Sequence, residues 1–253
     1  MTAPIVRTTL KRSAAILVAS SQYLDTSSVL QPFRERCHVV PYGFEPTAAS
    51  RIDQRVVAGL RTRYGPRFVL AVGRLTSYKG FEYLVRAMKD VEARLVIIGE
   101  GPCRRRLERI VSTLGLHDRV ALLGAIPDVA PYYEACDVFV LPSISRNEAF
   151  GLVQLEAMAA GKPVVNTSIG SGVSHACPPG LAGHTVPPAD PGALARAIGR
   201  LLADPELRQT LGAAGRARVA AEFSTDAMVR ETLDIYQRAA AGEAASRAAS
   251  KAV

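Results

Sequence analysis

At 253 residues and 48% apolar composition the chain can build one large or two small packed domains, and no apolar run reaches the ~20 residues a bilayer-spanning helix needs. The longest run near the start, residues 14–19, is strand-sized and followed by serines rather than by a signal-peptide layout, so the expected setting is the cytoplasm. A net charge of +8 suits anionic partners such as nucleotides or an anionic membrane surface, or else reflects solvated arginines; base-stacking aromatics are few and no nucleic-acid motif appears, which argues against nucleic acid.

The first forty-odd residues offer a helix-like stretch, a strand over 14–19, a Ser-rich helix and then the segment CHVVPYGFEP. That is about one strand–helix unit, too little to enclose a core of its own. Runs rich in β-branched residues then recur at 67–72, 94–98, 120–123, 137–141 and 163–165. Most are almost continuously apolar, as strands covered on both faces should be. Helix-period segments alternate with them at 80–89, 103–114, 129–136 and 150–160. The alternation predicts an α/β fold, a Rossmann-like doubly wound parallel sheet, with ligands bound beyond the carboxyl ends of the strands.

The last third reads as helical. Asp190 and Pro191 are an N-cap and first-turn pair for a helix over 191–203, and a second helix is expected over 205–221. A third opens at Ser224 and runs to about Ala239, with Met228, Leu233, Ile235 and Tyr236 as its packed face. The Ala/Ser-rich tail beyond Ala240 is expected to fray or stay disordered. Four scattered cysteines, Cys37, Cys103, Cys136 and Cys177, have no CxxC spacing and no histidine cluster, which argues against structural zinc and fits a reducing compartment.

Two glutamates, Glu148 and Glu156, stand in the otherwise apolar stretch NEAFGLVQLEAMAAGKPVV. Glu148 is placed at a strand's carboxyl edge and Glu156 two turns into the next helix. Gly151 would allow a ligand close to the backbone, and the free N–H groups of the first turn form an anion site. A ligand with phosphates over that helix start would bring hydroxyls to both carboxylates, which accept strong hydrogen bonds. The pattern alone leaves an equal alternative: one glutamate serving the helix dipole and the other facing solvent. In VGRLTSYKG, Gly73 and Arg74 directly follow a strand, and Lys79 and Gly80 open the next helix. Two cations and two glycines at such an edge suit a diphosphate, each charged contact being worth roughly 1.5–3 kcal/mol. The alternative is a surface turn with solvated cations. Two such edges in one sheet favour the ligand reading of both. His175 and His184 are read as structural or solvated.

The ordered set VGRLTSYKG, IGEGP, CDVFVLPSISRNEAFGLVQLEAMAAGKPVV and GHTVPPADPGALARAI resembles the C-terminal half of the retaining GT-B glycosyltransferases of family 4, over about 14–236. That family's E-x7-E signature falls on Glu148 and Glu156. The resemblance implies a nucleotide-diphosphate sugar as donor, a glycan or lipid-linked acceptor, no metal cofactor, and a place in polysaccharide biosynthesis. Arg74 and Lys79, beside Gly73, would hold the diphosphate and Glu148 the transferred sugar. The N–H groups of Phe150, Gly151 and Leu152 would serve sugar or phosphate. Glu156 would hold the ribose, and the backbone near Ile126 would meet the base.

Two departures from the family pattern stand out: SIGSGVSHACPPG lacks the usual Gly-Gly-x-x-Glu, and AIPDVAPYYEACD is a couple of residues short, which bears on the base. The domains expected are 1–45, a remnant of an N-terminal domain with its linker; 46–223, the nucleotide-sugar-binding domain; 224–240, a crossover helix; and 241–253, the tail. A separate N-terminal domain chain is an expected partner, and the setting extends to the inner membrane face. The competing readings are a non-catalytic donor-binding subunit and a gene fragment. A sugar-nucleotide epimerase is disfavoured, since it would need acid/base groups between two domains and lacks the E-x7-E setting.

Overall fold

The structure, a computed structural model, describes residues 3–46 and 52–251, with side chains of the last helix described to residue 241. Two compact units emerge: Met1–Glu45 with Glu222–Val253, and Pro46–Ala221. The first unit opens with α1 (Ala3–Arg12), β1 (Ile16–Val18), α2 (Ser21–Thr26), a 3-10 turn over Gln31–Arg36 and β2 (Cys37–Val39). β1 and β2 pair in parallel from Ile16↔Cys37 to Val18↔Val39. Their small core is Ile16, Val18, Leu24, Leu30 and Phe33.

The second unit begins with α3 (Gln54–Tyr64), where Asp53 accepts the Arg55 N–H at 2.8 Å and so caps the helix start. No element was expected there, yet Val57, Leu60 and Tyr64 bury one helical face. Then come β3 (Phe68–Val72), α4 (Phe81–Ala87), β4 (Arg94–Ile98), α5 (Arg104–Thr113), β5 (Val120–Gly124), α6 (Ala130–Ala135), β6 (Val138–Leu141) and α7 (Leu152–Ala159). β7 (Val164–Thr167), α8 (Val173–Ala176), β8 (Gly183–Val186), α9 (Pro191–Ala203) and α10 (Pro205–Glu222) complete the series.

The six strands are parallel in the order β5-β4-β3-β6-β7-β8. The chain winds outward from β3 to β5, then returns to lay β6 against the other side of β3. The winding direction therefore reverses between β3 and β6, and open α/β sheets bind ligands at such a switch point.

Period-two alternation divides the strand side chains between the two faces. Val69, Ala71, Leu95, Ile97, Val138 and Val140 pack with α4, α5 and α9 through Leu84, Leu107 and Ile198. Their neighbours Phe68, Leu70, Val96 and Phe139 are equally buried. Ring contacts of Phe68 with Tyr64 and of Phe139 with Tyr133 put α3 and α6 on that second face. Both faces are covered, which is why these strands are apolar throughout.

The helix behind Asp190 runs as expected over Pro191–Ala203, with the Asp190 carboxylate accepting the Ala193 N–H at 2.9 Å. The last helix, α11 (Thr225–Lys251), continues past its expected end at Ala239 into the tail read as disordered. Alanine is the strongest helix former, and that propensity carries the backbone through the low-complexity stretch. The packed face of α11 also needs correction. Met228 is half-buried, its Sδ accepting the Gly43 N–H at 3.1 Å, and Ile235 is buried one heptad on. Leu233 and Tyr236 are exposed, in line with Val229 on another side of the helix. Among the described residues no helix is long and apolar enough to cross a membrane.

Candidate functional site

The loops after β3 and β6 meet at the switch point. The first turns sharply through Gly73, whose φ of 151° favours glycine, and forms a 3-10 turn over Ser77–Lys79 before α4 begins. The second runs from Pro142 to Gly151. A backbone hydrogen bond ties them, Ile144 N–H donating to the Tyr78 carbonyl at 2.8 Å. Gly80 sits at φ 67°, ψ 15°, and a Cβ there would run into the Pro142 carbonyl oxygen. Glycine is thus required at position 80 both by the backbone and by the neighbouring loop.

At this junction Lys79 Nζ lies 2.5 Å from Glu148 Oε2, with the two side chains 10% and 9% exposed. Ser143 Oγ donates to the same oxygen at 2.8 Å. Thr167 Oγ1, at the end of β7, donates to the Ser143 carbonyl. Glu148 therefore does not cap α7: it is a largely buried carboxylate facing a largely buried ammonium. Burial of this kind persists only where charges are paired and hydrogen-bonded.

Helix α7 starts two residues later than expected, at Leu152, because Gly151 adopts a left-handed backbone with φ 76°. A Cβ on Gly151 would lie 2.5 Å from Leu141 Cδ2, so glycine here answers to backbone conformation and packing. No side chain caps this helix start. The later start puts Glu156 one turn into α7 rather than two. Burial raises its carboxyl above the ordinary range, with the Tyr133 hydroxyl opposing the rise. That hydroxyl, on α6, is pushed well above its own ordinary value by burial and then by Glu156. It is buried, and no hydrogen bond of ordinary geometry closes between the two groups.

The sequence-predicted residues thus fall into groups. Gly73, Lys79 and Glu148 come together: a Cβ on Gly73 would stand 3.4 Å from Lys79 Nζ. Arg74 adjoins them in sequence, exposed and paired with no acid among the described residues. Phe150 is buried, its ring 6.1 Å from that of His175, while Leu152 is exposed. Ile126 is half-buried in the loop after β5, two strands away from β3, and that loop leads into the helix carrying Tyr133, which faces Glu156. A depression of about 610 Å3 lies elsewhere, where α4 and α5 present Arg86, Arg106 and Arg109. Among the described residues no three His, Cys, Asp or Glu side chains group as a metal site would require.

Sequence reasoning missed the polar core behind α7. Gln154, fully buried, donates to the Phe150 carbonyl at 2.9 Å and the Val173 carbonyl at 3.0 Å. Asn166 donates to Gln154 Oε1 and to the Cys177 carbonyl, and accepts from Thr185 Oγ1 at 2.7 Å. Val173 and Cys177 of the segment 168–180 are thereby tied to the start of α7 and to β7. Gly172 N–H adds a bond to the Ala149 carbonyl at 2.8 Å. His184, on β8, has a buried Nε2 with no hydrogen-bond partner among the described residues, and burial, followed by Arg200, lowers its pKa. The signal for this network was present as Gln and Asn in apolar runs, where an unpartnered amide would be costly.

Residues 55–218 match the family model of the glycosyl transferases group 1. The D-rhamnosyltransferase WbpZ of Pseudomonas aeruginosa is 34% identical over 205 residues, covering 80% of this chain and 54% of that protein. The O-antigen chain mannosyltransferase C of Escherichia coli is 30% identical over 223 residues, covering 87% of this chain and 60% of that one. The chain thus spans little more than half the length of these curated relatives. Among solved structures, the sucrose-phosphate synthase of Thermosynechococcus elongatus aligns with a TM-score of 0.79 at 33% identity, over 95% of this chain and 62% of that chain. HepE of Anabaena, in complex with UDP, aligns with a TM-score of 0.82 at 22% identity, over 94% of this chain and 68% of that chain, a likeness of fold. With the family match extending across the whole parallel sheet, from α3 into α10, this chain belongs to the glycosyl transferases group 1, of GT-B type.

Proposed function

We propose that the chain carries the donor-binding half of a retaining family 4 glycosyltransferase, moving a sugar from a nucleoside-diphosphate sugar to a glycan or lipid-linked hydroxyl. The observation that carries this reading is the buried Lys79–Glu148 pair at the sheet's switch point. Arg74 and Lys79 hold the diphosphate. When the bond from the anomeric carbon to the diphosphate breaks, its electron pair passes to the diphosphate, where the two cations meet the new charge; the acceptor hydroxyl oxygen bonds the anomeric carbon and its proton passes to the departing diphosphate. No metal is assigned a part in this. Glu148 accepts from hydroxyls of the transferred sugar, and the N–H groups of Phe150, Gly151 and Leu152 serve sugar or phosphate. Glu156 accepts from the ribose hydroxyls, and the Ile126 loop meets the base. A second reading keeps donor binding and drops turnover, leaving a subunit that acts with a separate acceptor-domain chain. It is supported by the position of every donor-site residue within the unit Pro46–Ala221.

A thermal-shift panel of UDP, GDP and ADP tests donor binding. A ligand at a hundred times its dissociation constant adds roughly 2.7 kcal/mol of stability, and Arg74→Ala should remove most of that response. An unchanged response in Arg74→Ala removes its assigned role. Transfer to an acceptor by the purified chain would decide between the two readings.

The raised Glu156 carboxyl gives this binding a pH signature. Its protonation favours the folded chain, so its own contribution to stability is present at low pH and lost as pH rises through its pKa. Ribose hydroxyls prefer the carboxylate, so nucleotide binding has the opposite slope. The ligand-induced shift should shrink as pH falls toward that raised pKa, and Glu156→Gln should flatten the pH dependence. An identical slope in Glu156→Gln would place the ribose elsewhere.

A further inference from the structure

Among the described residues, both polar contacts of the Glu148 side chain fall on one oxygen. Lys79 Nζ and Ser143 Oγ each address Oε2. Oε1 has no hydrogen bond to the described residues, and it is not among the buried unpartnered atoms, so solvent reaches it. Ser143 is itself fully buried, and its backbone carbonyl is fixed by the Thr167 hydroxyl at the end of β7. The neighbouring strand thus holds the Ser143 backbone through Thr167, and the Ser143 hydroxyl reaches Glu148 Oε2. We infer that Ser143 is a positioning residue: with Lys79 it pins Glu148 by Oε2 and presents Oε1 as the acceptor for a hydroxyl of the donor's sugar. This rests on the proposed donor-binding reading.

The physical reasoning is rotational. A carboxylate held by the ammonium alone can turn about its terminal bond and offer either oxygen, since that torsion is broad. A second donor on the same oxygen narrows the torsion and fixes the direction of the free lone pairs. The sugar hydroxyl then meets a preorganised acceptor. The nucleotide portion does not touch this carboxylate in the proposed arrangement, so Ser143 should affect the sugar increment of affinity and not the nucleotide affinity itself. A residue that only stabilised the loop would lower both together.

The test is calorimetric titration of wild-type and Ser143→Ala chains with three ligand pairs: UDP and UDP-glucose, GDP and GDP-mannose, ADP and ADP-glucose. For the pair that the wild type binds, Ser143→Ala should keep the nucleoside diphosphate affinity within about twofold. It should weaken the nucleotide sugar about tenfold, the scale of one hydrogen bond to a charged group. Thr167→Val, which removes only the bond that holds Ser143, should show a smaller loss of the same kind and serves if Ser143→Ala does not fold. Equal losses for both members of the pair, or no loss for either, would overturn the positioning role while leaving donor binding intact. Failure of the wild type to bind any of the six ligands would instead sink the donor-binding reading, and this inference with it.

Discussion

Lys79→Ala should lower stability by roughly 3–5 kcal/mol and remove the response to nucleotides. Lys79 and Glu148 are both about nine-tenths buried, and their charged atoms are 2.5 Å apart. Taking away the ammonium leaves a carboxylate with one hydroxyl donor, Ser143, and no other ion-pair partner among the described residues. Breaking a buried pair from one side carries this scale of penalty because the surviving ion is left uncompensated. Replacing both partners differs in kind. Lys79→Met with Glu148→Gln removes both charges and keeps an amide that can accept from Ser143, so much of the lost stability should return. The nucleotide response should not return with it. Chemical denaturation of the two variants, each with and without UDP, GDP or ADP, checks both halves. A Lys79→Ala chain as stable as wild type would mean that Glu148 finds another partner and that the pair does not organise the junction.

Gly80→Ala is the second large effect. Its left-handed backbone costs an ordinary residue roughly 1–2 kcal/mol. A Cβ would also strike the Pro142 carbonyl oxygen and approach Ile144 Cγ2 to 2.9 Å. The oxygen belongs to backbone, so the relief must come from moving one loop away from the other. That movement separates the two contributors to the ion pair, and nucleotide affinity should fall along with stability. Gly115 supplies the control. It has a similar φ of 65°, and nothing lies within 4 Å of a Cβ placed there. Gly115→Ala should show the backbone cost alone, with nucleotide affinity unchanged, and the difference between the two variants isolates the loop collision. Equal melting temperatures for the two would show that the loops can part without penalty.

Much of the fold was legible because the relevant chemistry is local. The strand Arg94–Ile98 and the helix Pro191–Ala203 have the bounds their sequence suggests, the second fixed by the Asp190 side chain. Where local signals compete, the expectation drifted. The pattern starts the helix near Phe150, and the left-handed conformation of Gly151 delays it by two residues. β8 was missed because GHTV is short, half-polar and at the sheet edge, where one side has no neighbouring strand to demand apolar residues. The tail was read from its low complexity, whereas alanine propensity governs its backbone.

The candidate site is legible in its residue types and not in its geometry. The loops after β3 and β6 each advertise themselves by glycine and charge. Their meeting depends on a strand order that doubles back, a property of the whole sheet that no window of sequence contains. Ser143 and Thr167 were invisible for the same reason: each is an ordinary hydroxyl until the strands β6 and β7 lie side by side. Spacing and the family resemblance single out Glu156, and only the packing of α6 against α7 shows that a buried tyrosine hydroxyl faces it.

Co-crystallisation of the chain with a nucleoside diphosphate sugar tests the central claim most directly. The diphosphate should sit within hydrogen-bond reach of Lys79 Nζ and the Arg74 guanidinium, with a sugar hydroxyl on Glu148 and the ribose on Glu156. A ligand seated instead in the arginine-lined groove of α4 and α5, with the Lys79–Glu148 junction untouched, would contradict it.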